Sequence, residues 1–129
     1  MNAILRGALA SLVLGAFLLA PALAQQVPAG VQKVTTAKGD VWADSKGMTL
    51  YTYDRDTEAN KATYTGANWP ALMATATDKA AGDWTIADRT DGTKMWAYKS
   101  KPLYLYVNDK AKDDVAGDGV GGIWHLAKP

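Results

Sequence analysis

Two stretches of the same outline carry the residues best suited to chemistry: Tyr51-Thr52-Tyr53-Asp54-Arg55-Asp56 and Tyr104-Leu105-Tyr106-Val107-Asn108-Asp109. Both read Tyr-x-Tyr-x-x-Asp. A phenol combines a flat apolar ring with a hydroxyl that donates and accepts. Rings displayed on one face can hold a glycan, a peptide or a flat cofactor. The aspartate, just past the aromatic run, can accept bonds from the amides of a turn. Tyr51, Tyr53, Asp56, Tyr104, Tyr106 and Asp109 are therefore the candidate binding residues. The competing reading makes them structural. The single Phe, Phe17, sits in the apolar N-terminal run, so Tyr and Trp must fill any core beyond it, and core is the preferred role for the rings.

His125 is the one histidine, beside Trp124 near the C-terminus. An imidazole serves as metal ligand, haem ligand or general base. Met48, Met73, Met95 and the carboxylates are the available co-ligands, but no spacing gathers them, and a structural or surface role is expected. Asp113, Asp114 and Asp118 share a glycine-rich loop with Asp109. Clustered carboxylates suit Ca²⁺. The stretch lacks the alternating acidic pattern of an EF-hand, and a solvated turn is the simpler expectation.

Catalytic patterns are missing. Ser45 and Ser100 are the only serines after the N-terminal run, both in turn-like settings and neither in a G-x-S-x-G context. A hydrolase built on His125 has no supporting motif. The pair Asp54 and Asp56 is explained by turn capping. There is no phosphate-cradling loop or dinucleotide fingerprint, so no cofactor is evident. The chain has no cysteine, which removes disulfides, thiolate metal sites, a Cys nucleophile and C-x-x-C-H haem attachment.

The first residues set the compartment. Arg6 precedes an apolar run from Ala8 to Ala20, then Pro21 and the small-x-small site Ala22-Leu23-Ala24. This is the pattern of a cleaved secretory signal, with cleavage after Ala24. A membrane anchor is the rival reading, but the run is shorter than the ~20 residues a span requires. The mature chain from Gln25 then holds thirteen basic and thirteen acidic residues. That balance argues against nucleic acid as a partner and against a polybasic membrane patch.

The elements that must position these residues are short strands. Val31–Thr36, Val41–Ala43 and Thr49–Tyr53 are rich in β-formers and separated by turn residues. Trp84–Ala87, Met95–Tyr98 and Leu103–Val107 repeat that order, with Asp91-Gly92 as a tight turn. In each motif strand, residues two apart share a face. The two Tyr rings therefore stand together, with Leu50 and Thr52, or Leu103, Leu105 and Val107, on the other side.

The order recurs because the chain is duplicated. Trp42 corresponds to Trp96, Leu50-Tyr51 to Leu103-Tyr104, Asp56 to Asp109, Gly66 to Gly121 and Trp69 to Trp124, at offsets of 53 to 55 residues. The expected fold is all-β: a small antiparallel domain of two tandem copies of a ~50-residue β unit, with pseudo-twofold symmetry. Residues 25–30 read as a loose tail and 31–129 as the domain. Copy one spans about 31–70, a connector 71–83, and copy two about 84–126. Pro70–Ala76 fits either a short helix or a loop.

At these residues the chain resembles a group of secreted bacterial repeat proteins, predicted lipoproteins with a Y-x-(F/W/Y)-x-x-D motif. The resemblance also rests on Gly47-Met48-Thr49-Leu50-Tyr51, Trp69-Pro70, Asp91-Gly92 with Trp96-Ala97-Tyr98, Lys101-Pro102-Leu103-Tyr104, and Gly117-Asp118-Gly119 through Trp124-His125. It implies a fold and an exported location and assigns no activity. Many members carry a lipobox Cys and a C-x-x-x-C pair before the Trp-Pro, and this chain has neither. The expectation is an unanchored protein, periplasmic or secreted, acting as a non-enzymatic binding module for an envelope protein or small ligand. The alternative is a metal- or haem-associated accessory protein of envelope redox or stress systems.

Overall fold

The structure is a computed structural model and describes residues 27–129. The expected signal segment and the expected cleavage site after Ala24 lie outside the described residues. The described chain is built of strands: β1 (Val31–Thr36), β2 (Gly39–Asp44), β3 (Tyr51–Tyr53), β4 (Lys61–Ala62), β5 (Trp84–Arg89), β6 (Lys94–Tyr98), β7 (Lys101–Pro102) and β8 (Trp124–Leu126). One 3-10 turn spans Val120–Gly122. Pro70–Ala76 forms no helix; Ala71 and Met73 instead bridge to Tyr104 and Met95. Copy one therefore pairs into the sheet beyond Pro70, inside the stretch read as connector.

The middle of the molecule is a layer of four antiparallel segments. Strand β8 pairs with β3, with Tyr51 opposite Leu126 and Tyr53 opposite Trp124. On its other side Tyr51 pairs with Tyr104 through two backbone bonds, Tyr51 N–H to Tyr104 O at 2.8 Å and the reverse at 2.9 Å. The Tyr104 segment in turn bonds Pro70 O and Asn68 O, through Leu105 N–H and Val107 N–H. The pseudo-twofold axis runs between Tyr51 and Tyr104. Each motif strand is thus flanked by its symmetry mate and by the Trp strand of the other copy.

Two hairpins close the layer. Strands β1 and β2 pair antiparallel, as do β5 and β6. They dock identically: Trp42 N–H bonds Ala127 O, and Trp96 N–H bonds Leu72 O. One pairing departs from the antiparallel expectation, because β4 lies parallel to the end of β5. The strand expected over Leu103–Val107 does not form as a regular element. Strand β7 ends at Pro102, and beyond it the chain leaves β6 after the Leu103 N–H to Trp96 O bond and makes isolated bridges from Tyr104 to Tyr51 and Ala71.

Side-chain alternation splits the interior in two, as the period of a strand requires. Leu50 and Leu103 join Trp42, Trp84, Trp96, Val31 and Ala127 on one side. Tyr51 and Tyr104 join Trp69, Trp124 and Met95 on the other, with Tyr53 and Tyr106 packed against them.

Candidate functional site

The six motif residues meet at the pseudo-twofold axis, and they do so by exchange. Tyr51 is wholly buried, and its hydroxyl donates to Asp109 Oδ2 at 2.6 Å. Tyr104 is equally buried and donates to Asp56 Oδ2 at 2.7 Å. Each phenol is therefore held by the aspartate of the other copy. The second carboxylate oxygens fix loops: Asp56 Oδ1 accepts the Thr63 N–H at 2.7 Å, and Asp109 Oδ1 accepts the Ala116 N–H at 2.9 Å. The aspartates do accept backbone amides, but from loops seven residues on, and their main partner is a phenol across the axis.

Burial sets the electrostatics. Desolvation, then the hydrogen bond to Asp109, pushes the Tyr51 phenol well above its usual range, and desolvation and Asp56 do the same to Tyr104. The Asp109 carboxyl is raised by burial, against the lowering effect of the Tyr51 and Ala116 bonds. At neutral pH both phenols are fixed donors.

A column of rings crosses the same axis. Tyr106 stacks on Trp69 at 3.9 Å between centroids, Trp69 on Trp124 at 3.8 Å with planes 1° apart, and Trp124 on Tyr53 at 4.3 Å. Tyr51 and Tyr104 present their edges to Trp69 and Trp124 at 5.3 and 5.2 Å. Tyr53 and Tyr106 are half-buried, so the four motif tyrosines form no open platform. The duplication brings equivalent residues face to face and spends their rings on the core. Two stretches, residues 32–73 and 85–128, match one family, described as a secreted repeat of unknown function. The chain belongs to that family. Its two matched stretches are the two halves that meet at the axis. No curated protein and no solved structure matches the chain.

The metal candidates stay apart. His125 Nε2 and Asp54 Oδ2 lie 2.8 Å apart in an exposed pair, so Asp54 holds the imidazole rather than capping a turn. Asp114 Oδ2 accepts the Lys110 and Ala111 amides, which hold its carboxyl below the usual range. Asp118 pairs with Lys38 at 2.9 Å, and Asp113 occupies a left-handed turn at φ 72°. Met95 is buried in the core, while Met73 is exposed and touches Arg89. Among the described residues no three His, Cys, Asp or Glu side chains converge on a metal position. No serine hydroxyl bonds to His125 among the described residues. No helix among them is long and apolar enough to cross a membrane.

One concave surface escaped the sequence reading. A groove of about 360 Å³ lies where β4 meets the end of β5, lined by Thr57, Glu58, Lys61, Thr63, Arg89 and Thr90, among others. Arg89 NH1 bonds Asp91 and Thr93, while its Nε is buried without a partner among the described residues. The lining residues are not repeated in the second copy. The positions 53 later than Thr57, Glu58, Lys61 and Thr63 are Lys110, Ala111, Asp114 and Ala116. Scattered polar residues carry no sequence signal, and only the parallel β4–β5 pairing gathers these.

Proposed function

We propose that this secreted-repeat protein is exported to the periplasm, released from its signal after Ala24, and acts there as a non-enzymatic binding module. The observation that carries the reading is the polar groove beside β4, whose lining the second copy does not repeat. A duplicated core is symmetric by construction, so a groove whose lining residues are not repeated in the second copy marks where the copies diverged. Its volume falls within the range of small-ligand sites. Three threonine hydroxyls, two cations and two carboxylates line it. They suit a small polar ligand bearing hydroxyls and charges of both signs. The tyrosines support the site by holding its walls: Asp56, fixed by Tyr104, fixes Thr63 in turn.

A soluble cell-wall disaccharide peptide has this chemistry and is the probe of choice. Titrated into ¹⁵N-labelled mature protein, it is expected to move the amides of Thr57, Lys61, Thr63, Arg89 and Thr90. Lys61→Glu is expected to abolish those shifts. Absence of groove shifts, or equal shifts over the β1–β2 hairpin, overturns the reading. For the metal- or haem-associated alternative, the donors among the described residues are dispersed and His125 is engaged by Asp54.

A further inference from the structure

The ring column brings four π faces into continuous contact. Trp69 and Trp124 stack with centroids 3.8 Å apart and planes parallel to within 1°. Tyr106 and Tyr53 cover their outer faces at 3.9 and 4.3 Å. The column runs from half-buried Tyr106 through two buried indoles to half-buried Tyr53, so both ends reach solvent. Beside each indole stands a buried phenol with a base already attached: Tyr51 with Asp109 at 2.6 Å, and Tyr104 with Asp56 at 2.7 Å.

We propose that the column is a one-electron relay, which carries oxidising equivalents from its exposed ends to Tyr51 and Tyr104, with Asp109 and Asp56 taking the phenolic protons. The co-reactant is a diffusing one-electron oxidant of the oxygen-radical class. It removes one electron from Tyr106 or Tyr53 and leaves as its one-electron-reduced form. The electron vacancy passes through Trp69 and Trp124. Tyr51 then gives one electron to the oxidised indole, and its O–H proton crosses to Asp109 Oδ2. The phenol O–H bond breaks and a carboxyl O–H bond forms. The products are a neutral tyrosyl radical, a neutral carboxylic acid and a restored ring column. Tyr104 and Asp56 do the same in the other half.

The surroundings fit a trap. A phenol that loses an electron becomes strongly acidic, and a carboxylate at hydrogen-bond distance receives the proton without any rearrangement. Burial raises the proton affinity of Asp109, which favours the transferred state. Burial also keeps Tyr51 and Tyr104 from coupling with the phenoxyl ring of a second protein molecule, while a diatomic radical is small enough to reach them. The relay shares Asp56 with one wall of the polar groove but needs no ligand there, so ligand binding in the groove neither supports nor weakens it.

The test uses the mature protein with photogenerated tris(bipyridine)ruthenium(III) as oxidant, freeze-quenched for electron paramagnetic resonance. Wild type is expected to give a tyrosyl signal that forms more slowly in D₂O. The Tyr51→Phe/Tyr104→Phe variant is expected to lose it and show a short-lived indole radical. Tyr98→Phe, in the other core, is expected to keep it. A tyrosyl signal that survives the double variant, or disappears with Tyr98→Phe, overturns the proposal. Wild type alone suffices if the double variant does not fold. Nitric oxide capture and peptide mapping must then place the adduct on Tyr51 or Tyr104; adducts confined to Tyr64 or Tyr98 overturn the relay.

Discussion

Tyr51→Phe removes one oxygen and leaves Asp109, 6% exposed, without its phenol donor. A hydrogen bond to a charged acceptor contributes about 1.5–3 kcal/mol. Urea unfolding should show a loss of that size. Tyr104→Phe should cost less, because Asp56 is only half-buried and water can replace the phenol. Equal losses for the two variants would contradict the assigned difference in burial. The same phenols set an alkaline limit. Their folded values lie above the ordinary value near pH 10, so the fold binds more protons than the unfolded chain once pH passes that point. Stability is fully present below pH ~10 and falls above it by about 1.4 kcal/mol per pH unit for each phenol. Melting temperature followed from pH 8 to 11.5 should bend near 10, and the bend should halve in Tyr51→Phe. The sequence made these residues legible as a repeated motif. It could not show the exchange, because Tyr51 and Asp56 are five positions apart while the bonded partners are 58 apart. Local spacing pointed to a turn cap, and the tertiary pairing prevailed.

Among the elements, the alternation of the motif strands was readable in full: Leu50 and Leu103 face one core, Tyr51 and Tyr104 the other. Strand β4 was not, since two residues in a parallel pairing leave no periodic trace. The stretch after Leu103 was overread, because its β-forming residues meet their neighbours through single bridges rather than a ladder. The loops that hold the aspartates show how closely these elements fit. At Gly117 an added Cβ would lie 2.7 Å from the Trp69 ring and 2.8 Å from Tyr51. Gly117→Ala should therefore cost about 1–3 kcal/mol through overpacking. Gly66→Ala meets only the end of the half-buried Tyr64 side chain, which can swing outward. Thermal melts of the two variants should separate them, and a Gly117→Ala protein as stable as wild type would refute the close approach.

For the whole molecule, the exchange makes each half dependent on the other. Strand β3 pairs with β8, and the Tyr104 segment with Asn68–Ala71, so neither copy owns the neighbours of its own motif strand. A chain divided between Asp78 and Lys79 should give two fragments that are unfolded alone by circular dichroism. Mixed in equal amounts they should recover the native spectrum, including the near-ultraviolet signal of the Trp69–Trp124 pair. A fragment that folds by itself would show that the copies are separate domains. The duplication was plain in the aligned tryptophans at 69 and 124, yet their contact was not, because correspondence in a repeat says nothing about adjacency until the axis is placed. The reciprocal pairing also carries an arithmetic for how such proteins can grow. A third copy added to this chain finds both existing partners taken, and its Tyr and Asp face water with nothing to receive them. Stable arrays of this unit come in even numbers, and an odd one must seek its missing half in another molecule.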